Sequence, residues 1–317
     1  MLQPELSANG RLYLQFANRA QRVVALGEVL WDVYDHSHRL GGAPLNFGAH
    51  VRRLGHCVTF ISALGADELG ERAGQMIRAL DLDTSLLQTT PRFPTGTARV
   101  RTALGGAAEF TIERPAAYDD VELSERDLQS LQNGAPGWLY YGTVFASAAQ
   151  GRNILGRVLE ALTGAVRFYD LNLRPGSDSP MLVKDLLAQA GVVKLNEDEL
   201  RRVHEITGLP AEVEAFCREG AARYGWRAVA VTLGDRGCAI LANGQYVEAG
   251  GHPVDVVDTV GAGDAFSAAF LHGLSMNWPA AKLASFANRV GALVVSRHGA
   301  IPDWTPQELA EEEAAER

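Results

Sequence analysis

The feature that most constrains the fold of this chain is a repeated alternation of short apolar segments with longer amphipathic ones. The apolar segments are rich in valine, leucine and aromatic residues, as is typical of buried strands, and the amphipathic ones carry apolar residues at helical spacing. The predicted strands are 22–30, 57–65, 137–144, 166–172, 192–195 and 227–234, and the predicted helices are 43–55, 67–80, 149–162, 180–190, 197–208 and 211–225. Helices between successive strands predict βαβ units, and therefore an α/β fold with a doubly wound, mostly parallel sheet that helices cover on both faces.

Two segments depart from this alternation and have the pattern of hairpins. Residues 95–115 alternate polar with small or apolar side chains on either side of a predicted turn at Gly105 and Gly106, and residues 29–42 are also strand-like, with a turn around Asp35–Ser37. We expect these strands to form a small β-sheet lid over a ligand site. The predicted organisation is an N-terminal extension over 1–20 and one domain over 21–317 that includes the lid.

Charge and composition exclude several classes of protein. The net charge is −9 and no stretch concentrates lysine and arginine, which argues against nucleic acid or an anionic membrane as the main partner. No apolar run reaches the roughly 18 residues of a membrane span, and residues 1–20 lack the basic and apolar parts of a signal peptide. The cysteines Cys57, Cys217 and Cys238 form no C-x-x-C pair, so we expect reduced thiols and a cytoplasmic protein.

Polar residues that follow predicted strands mark the expected ligand site. In open parallel sheets, ligands bind beyond the carboxyl ends of the strands. The polar residues at or near such positions are Asp32, Asn46, Arg174, Asn196, Glu199, 234–237 and 258–264. We expect them to meet at one edge of the sheet.

The segment DTVGAGDAFSAAF, residues 258–270, combines a glycine turn with an acid at the start of an amphipathic helix. The backbone N–H groups of Gly261, Ala262 and Gly263 can face a phosphate at the positive end of that helix. Asp264, where we expect the helix to begin, can then accept a proton from an attacking hydroxyl. The alternative is an ordinary aspartate at a helix start after a turn.

Two standard nucleotide-binding motifs do not account for this segment. The P-loop pattern G-x-x-x-x-G-K-[ST] is absent from the sequence. A dinucleotide fingerprint would need a third glycine where this chain has Phe266, and an acidic residue at a strand end about twenty positions further on. The sequence therefore disfavours a dehydrogenase.

DTVGAGDAFSAAFLHGL closely resembles the C-terminal signature of the ribokinase-like (PfkB) carbohydrate kinase family. GGAPLNFGAHVRRLG resembles the family's N-terminal glycine-rich signature, KLNEDEL its N-x-x-E region, VTLGDRGC its nucleotide loop, and FANRVGALVVSRHGA its C-terminal helix and cation-site end. The resemblance covers nearly the whole chain after residue 20. It implies a doubly wound α/β kinase with a small β lid that uses ATP and Mg²⁺, with K⁺ in some members.

The resemblance also implies a role for each matching residue. The catalytic residues are the base Asp264, the anion hole formed by Gly261, Ala262 and Gly263, and Arg174, which reaches the substrate or the transferring phosphate. The substrate-binding residues are Asp32, Gly41, Gly42, Asn46, Arg174 and Asp264. The nucleotide-binding residues are Lys194, Asn196, Thr232, Gly234, Gly237, Gly261, Gly263 and Asn288. The metal-binding residues are Asn196 and Glu199, for Mg²⁺ through water, and Asp258, for a monovalent cation.

Two groups of these residues keep a second interpretation. Asn196 and Glu199 are also spaced as a helix N-cap and its partner three residues later. Asp170, Asn172 and Arg174 fall on one side of an extended chain. From there Arg174 can reach a substrate or form a surface salt bridge.

The leading interpretation of function is ATP-dependent phosphorylation of a small sugar at a primary hydroxyl. GEVLWD, GGAPLN and YDLNLR are most similar to the fructokinase branch, and Ala43 and Pro44 stand where ribokinase-like members usually carry a lysine-glycine-alanine pattern. The alternatives are 2-keto-3-deoxygluconate kinase, another sugar or nucleoside kinase of the family, and a catalytically weak regulatory protein that binds nucleotide. A homodimer through the lid sheets is the expected assembly, because an uncovered sheet edge invites pairing.

Overall fold

The computed structural model describes residues 3–6, 12–15, 20–34, 37–102 and 108–309. Its strands are β1 (Gln3–Leu6), β2 (Leu12–Gln15), β3 (Arg22–Leu26), β4 (Leu30–Tyr34), β5 (Ser37–Gly41), β6 (Cys57–Gly65), β7 (Leu87–Thr90), β8 (Gly96–Thr102), β9 (Ala108–Ile112), β10 (Trp138–Gly142), β11 (Val166–Asp170), β12 (Val192–Asn196), β13 (Ala228–Thr232), β14 (Cys238–Ala242) and β15 (Gln245–Ala249). Its α-helices are α1 (Ala43–Arg53), α2 (Glu68–Arg78), α3 (Glu125–Asn133), α4 (Thr143–Ser147), α5 (Ala149–Ala161), α6 (Pro180–Gln189), α7 (Glu197–Thr207), α8 (Val213–Tyr224), α9 (Ala262–Ser275) and α10 (Ala280–Val295).

The central sheet has the strand order β15-β14-β13-β12-β11-β10-β3-β6-β7. All pairs from β13 to β7 are parallel, with helices between successive strands along most of the chain, which confirms the predicted doubly wound α/β class. The chain winds from β3 outward to β6 and β7, then returns to β10 on the other side of β3 and winds the opposite way. In such sheets the crevice at the reversal, beyond the carboxyl ends of the strands, is where ligands bind.

Successive residues of the central strands enter different hydrophobic cores, one on each face of the sheet. In β10, Trp138 and Tyr140 belong to one core, and Leu139 and Tyr141 belong to the other. Strands buried on both faces have continuous apolar sequences rather than alternating ones, which is why they are recognisable as parallel strands. The ring of Tyr140 stacks on Phe47 of α1 with 3.8 Å between centroids, and this contact fixes α1 against the sheet.

The antiparallel pair β14–β15 at one edge of the central sheet was not predicted. Its turn residues Asn243 and Gly244 have φ values of 52° and 75°. Positive φ at both central positions defines the tight hairpin turn that the dipeptide Asn-Gly favours most. The signal was therefore present in the sequence, within the segment AILANGQYVEA.

A second sheet with the order β5-β4-β8-β9 confirms the strands predicted for the lid. The hairpins β4–β5 and β8–β9 are antiparallel, while β4 and β8 pair in parallel where the two hairpins meet. The predicted turn at Gly105 and Gly106 lies outside the described residues, as does most of the turn at Asp35–Ser37. Within the N-terminal extension, β1 and β2 form an antiparallel pair that was not predicted.

Two helix ends matter for the ligand site. Gly55 follows α1 with φ 90°, so the predicted stop at this glycine is confirmed. Helix α9 begins at Ala262 and not at Asp264, because Gly261 adopts φ 82° and serves as the N-cap. Asp264 is therefore the third residue of the helix. None of the helices in the described ranges is long and apolar enough to cross a membrane.

Candidate active site

Two cavities open beyond the carboxyl ends of the central strands. The first, which we call the lid cavity, has a volume of about 310 Å³ and is lined by Asp32, Asn46, Ala98, Ile112 and Asp264 among others. The second, which we call the loop cavity, has a volume of about 700 Å³ and is lined by residues that include Thr232, Gly234, Gly237, Val256 and Asn288. Both cavities share the side chains or backbone of Lys194, Asn196, Thr259 and Gly263. Two ligands bound in these cavities would therefore meet at Gly263.

The N-terminus of α9 lies at this junction. The first intrahelical hydrogen bond runs from the Ala265 N–H to the Gly261 carbonyl, 2.9 Å, so the N–H groups of Gly263 and Asp264 precede the helical ladder. A Cβ at Gly261 would lie 2.5 Å from the Cα of Ala300, and one at Gly263 would lie 3.0 Å from the Lys194 Nζ. Glycine is required here because neighbouring groups approach the backbone closely. A turn of this kind at a helix N-terminus is suited to an anion, and the anion hole stays a prediction.

The carboxyl group of Asp264 lines the lid cavity at the same junction. Burial, reinforced by the charge of Asp170, raises the pKa of Asp264 to about 7, although a hydrogen bond from Asn46 opposes this. That bond runs from the Asn46 Nδ2 to the Asp264 Oδ2 and is 2.8 Å long. A carboxylate with a pKa near neutrality is suited to accept a proton at physiological pH.

A buried ion pair holds Lys194 beside the anion-binding turn. The Lys194 Nζ donates to the Asp170 Oδ1 at 3.1 Å, and Tyr140 and Ser267 donate their hydroxyl protons to the Asp170 Oδ2. Burial alone would lower the pKa of Lys194, but the charges of Asp170, Glu199 and Asp264 outweigh it and the pKa is raised. Lys194 therefore keeps its positive charge between the two cavities.

The predicted extended arrangement of Asp170, Asn172 and Arg174 is wrong. Strand β11 ends at Asp170, whose side chain is fully buried beneath Lys194, and Asn172 adopts a left-handed φ of 41°. This turn breaks the strand periodicity that the prediction assumed. Asn172 and Arg174 line the lid cavity, whereas Asp170 does not contribute to it and instead fixes Lys194.

The sugar-side candidates converge on the lid cavity with one exception. Asp32, Gly42, Asn46 and Arg174 line it, while Gly41 lies behind the cavity wall, where a Cβ would be 3.1 Å from the Asp32 Oδ2. Burial raises the pKa of Asp32 to about 6 against the opposing charge of Arg174. The charge of Arg39 on the neighbouring strand also lowers the pKa of Asp32, by less than Arg174.

The nucleotide-side candidates line the loop cavity except Gly261, which lines the lid cavity. Thr232, Gly234, Gly237 and Asn288 all contribute to its wall, as do apolar side chains such as Val256 and Phe266. The amide nitrogen of Asn288 donates to the carbonyl oxygens of Ala249 and Gly250 at 3.2 and 3.0 Å, so this side chain also holds the chain that leaves β15. An apolar wall with a few fixed polar groups suits a flat heterocyclic ring.

Asn196 and Glu199 form a helix capping box at the start of α7, as predicted. The Asn196 side chain accepts from the Glu199 N–H at 2.9 Å, and the Glu199 carboxylate accepts from the N–H groups of Asn196 and Leu173, both at 2.8 Å. Each of these oxygens already accepts one hydrogen bond from a backbone N–H, and the role of the pair in holding Mg²⁺ through water stays a prediction. No cluster of three or more histidine, cysteine or acidic residues suited to a metal occurs among the described residues.

The carboxylate of Asp258 is bound by protein groups. It accepts hydrogen bonds from the N–H groups of Val260 and Gly299, both at 3.1 Å, and from the guanidinium of Arg39. Arg39 lies on β5 of the lid, opposite Asp32 in the β4–β5 register, and also packs over the ring of Tyr34. A monovalent cation at Asp258 would have to share the carboxylate with Arg39.

Several residues of the lid cavity were not predicted. Ala98 and Ile112 reach it from β8 and β9, and Val144 reaches it from α4. Strand alternation predicted the lid hairpin but not which of its two faces covers the site. Glu28 also lines the cavity, and its only signal was that it is an acidic residue inside the predicted apolar strand 22–30.

The two cavities of this doubly wound sheet meet at a helix N-terminus, beside the carboxyl group of Asp264 and the ion-paired Lys194. This arrangement defines an enzyme that transfers a phosphoryl group between two small molecules. A family model described as "pfkB family carbohydrate kinase" matches residues 14–307. The chain belongs to this family and is a carbohydrate kinase.

Individual relatives agree with this assignment. The chain is 30% identical over 299 residues to a fructokinase from Escherichia coli, which covers 88% of this chain and 95% of the relative. The crystal structure of a fructokinase with bound ATP from Xylella fastidiosa has a TM-score of 0.80 at 22% identity, covering 92% of this chain and 99% of that one. A 2-dehydro-3-deoxygluconokinase from Thermotoga maritima also has a TM-score of 0.80, at 21% identity, covering 93% of this chain and 99% of that one. These two structures share the fold.

Proposed function

We propose that this enzyme transfers the γ-phosphoryl group of ATP to a primary hydroxyl of a small neutral sugar, and that the sugar is fructose. The observation that carries the proposal is the position of Asp264 and the α9 N-terminus where the lid and loop cavities meet. A sugar in the lid cavity and ATP in the loop cavity would face each other across Gly263. The relationship to a fructokinase supports fructose among the possible sugars.

In the proposed reaction, Asp264 accepts the proton of the primary hydroxyl while the oxygen of that hydroxyl forms a bond to the γ-phosphorus. The bond from that phosphorus to the bridging oxygen breaks, and ADP leaves. The N–H groups of the 261–263 turn, together with Lys194 and Arg174, stabilise the negative charge on the transferring group. Mg²⁺ bound to the phosphates would add positive charge, with Asn196 and Glu199 holding its water molecules.

The charges around the lid cavity favour a neutral sugar over an acidic one. Four acidic residues line it, Glu28, Asp32, Glu199 and Asp264, against the two cations Arg174 and Lys194. The carboxylate of 2-keto-3-deoxygluconate would add a further negative charge among them, which low-dielectric surroundings make unfavourable. Fructose is uncharged, and its hydroxyl groups can donate hydrogen bonds to these carboxylates.

The test is an assay of ADP release with ATP and Mg²⁺ over fructose, ribose, 2-keto-3-deoxygluconate and a set of nucleosides. We expect the highest kcat/KM for fructose. A higher value for 2-keto-3-deoxygluconate would contradict the charge argument and support that alternative. No turnover on any compound, with ATP binding intact by calorimetry, would favour a regulatory protein that binds nucleotide.

Two further parts of the proposal concern assembly and location. A homodimer through the lid sheets is supported by the outer strands β5 and β9, whose edges can pair with a second copy. Light scattering after size exclusion would give a mass of one subunit if this is wrong. The proposed location is the cytoplasm, and cell fractionation would test it.

A further inference from the structure

Glu28 is an acidic side chain of the lid cavity that the reaction described above does not use. It is the second residue after the end of β3, and its backbone is tightly held. The Ser62 hydroxyl donates to the Gly27 carbonyl at 2.7 Å, and a Cβ at Gly42 would lie 2.5 Å from the Glu28 carbonyl oxygen. The side chain of Glu28 therefore enters the cavity from a rigid support.

The carboxyl group of Glu28 is buried and incompletely bonded. Only 3% of the residue is exposed. Its Oε2 has no hydrogen-bond partner among the described residues, although Glu28 lines the cavity. Burial raises the pKa of Glu28 to about 7, hydrogen bonding to its own N–H opposes this, and the charge of Asp264 adds to it.

A buried carboxyl oxygen without a partner is unfavourable, and proteins rarely keep one without a ligand or water to satisfy it. Glu28 forms part of the wall of the cavity that would hold the proposed sugar. Sugar hydroxyls are good donors to such an oxygen. Asp264, the proposed base for the transferred hydroxyl, lines the same cavity of about 310 Å³, so one small sugar can contact both groups.

We propose that the Glu28 Oε2 accepts a hydrogen bond from a sugar hydroxyl other than the one that is phosphorylated, and that Glu28 thereby determines which sugars bind in a productive orientation. This inference rests on the proposed sugar kinase function. It assigns to Glu28 a role in specificity and orientation, distinct from the proton transfer at Asp264.

The experiment compares the parent enzyme with Glu28→Ala and Glu28→Gln on fructose and on fructose analogues that each lack one hydroxyl other than the phosphorylated one. On fructose, Glu28→Ala should lower kcat/KM by about 10- to 100-fold, mainly through KM, as expected for one lost hydrogen bond to a carboxylate. Glu28→Gln, which keeps an acceptor oxygen and the side-chain volume, should lose less. With the analogue that lacks the hydroxyl bound by Glu28, parent and variants should agree within about twofold.

Equal losses for every analogue would overturn the proposal, because they would show that Glu28 supports the site without contacting the sugar. Glu248→Ala is the matched control, since Glu248 is exposed on the edge strand β15 and its carboxylate accepts a hydrogen bond from the Tyr246 hydroxyl. If Glu28→Ala does not fold, Glu28→Gln carries the same comparison. A parent enzyme that phosphorylates no sugar would overturn the proposed function itself, and with it this inference.

Discussion

Asn46, in the fourth position of α1, donates a 2.8 Å hydrogen bond to Asp264, in the third position of α9, across 218 residues of sequence. This contact joins the two glycine-rich segments that resemble the family signatures. The bond favours the ionised form of Asp264 while burial disfavours it, and the balance leaves the pKa at about 7. The proposed catalytic base Asp264 and the proposed sugar-binding residue Asn46 are therefore coupled directly by this hydrogen bond.

We expect Asp264→Asn to lower kcat by on the order of 10²–10⁴, because it removes the general base. Sugar binding should persist, since the asparagine keeps an oxygen for the Asn46 donor. Steady-state kinetics and calorimetric titration with the sugar measure the two effects separately. Asp255→Asn, on the exposed loop before α9, is the control and should behave as the parent. A variant with parental kcat would contradict the assignment of the base.

The pH profile of kcat/KM should fall below about pH 7, because Asp264 accepts a proton only when ionised and its pKa is about 7. Glu28 has a similar pKa, so the profile alone does not identify the group. Asn46→Ala removes the hydrogen bond that stabilises the ionised carboxylate, and the midpoint should move to higher pH. Asn153→Ala, exposed on α5, should leave it in place. If the midpoint of the pH profile does not move in Asn46→Ala, a group other than Asp264 controls the profile.

Gly261→Ala should impair both stability and catalysis. The residue has φ 82°, and a Cβ would lie 2.5 Å from the Cα of Ala300, so the start of α9 must shift. We expect kcat to fall at least about tenfold as the N–H donors move. Gly225→Ala is a matched control, because φ is 77° and nothing lies within 4 Å of the added Cβ. It should lose about 1 kcal/mol of stability through backbone strain and keep full activity. Equal kinetics for the two variants would contradict the role of the turn.

Arg39→Ala should make activity depend on a monovalent cation. In the parent, the guanidinium of Arg39 neutralises Asp258 next to the anion-binding turn, so rates in potassium and tetramethylammonium buffers should agree. Without Arg39, the Asp258 carboxylate keeps the N–H donors of Val260 and Gly299. The activity of the variant should therefore be several-fold higher in potassium than in tetramethylammonium buffer. Arg201→Ala, which breaks an exposed pair with Asp198, is the control. A parent enzyme that itself requires K⁺ would contradict this account of Arg39.

Buried histidines and buried carboxyls should have opposite effects on stability as the pH falls. Burial lowers the pKa of His50 to about 3. The Nδ1 of this histidine accepts a hydrogen bond from the indole N–H of Trp304, and its Nε2 lies 2.9 Å from the Ala300 carbonyl oxygen. Unfolded histidine binds a proton below about pH 6.5, so this site loses stability as the pH falls, with a slope that approaches about 1.4 kcal/mol per pH unit. His50→Gln cannot titrate. Its stability relative to the parent should improve by about 1 kcal/mol between pH 6.5 and 5.5, because the unfolded histidine is already half protonated at pH 6.5.

Asp264→Asn should show the reverse trend. The pKa of Asp264 is about 7 in the folded state and 3.8 in the unfolded state. The free energy of unfolding of the parent therefore falls as the pH rises from about 4 to 7. The variant should therefore gain most stability over the parent at pH 8 and least near pH 4. Urea unfolding of the parent, His50→Gln and Asp264→Asn at several pH values measures both trends. Parallel curves for all three proteins would contradict the burial of these groups.

The sequence by itself determined the α/β class, the lid strands and the position of the anion-binding turn. Apolar periodicity and turn chemistry are local properties, so strands such as 57–65 and the glycine turn before Asp264 are readable from neighbouring residues. The hairpin at Asn243 and Gly244 was equally readable from its turn residues, and it was missed.

Only the tertiary structure decided which polar groups face a ligand and which are used by the protein. Asp170 became the partner of Lys194, Asp258 became the partner of Arg39, and Glu28 was left with an unbonded oxygen in the lid cavity. These outcomes depend on burial and on contacts between residues far apart in the chain. Desolvation and charge act through space, and the spacing of residues along the sequence does not specify them.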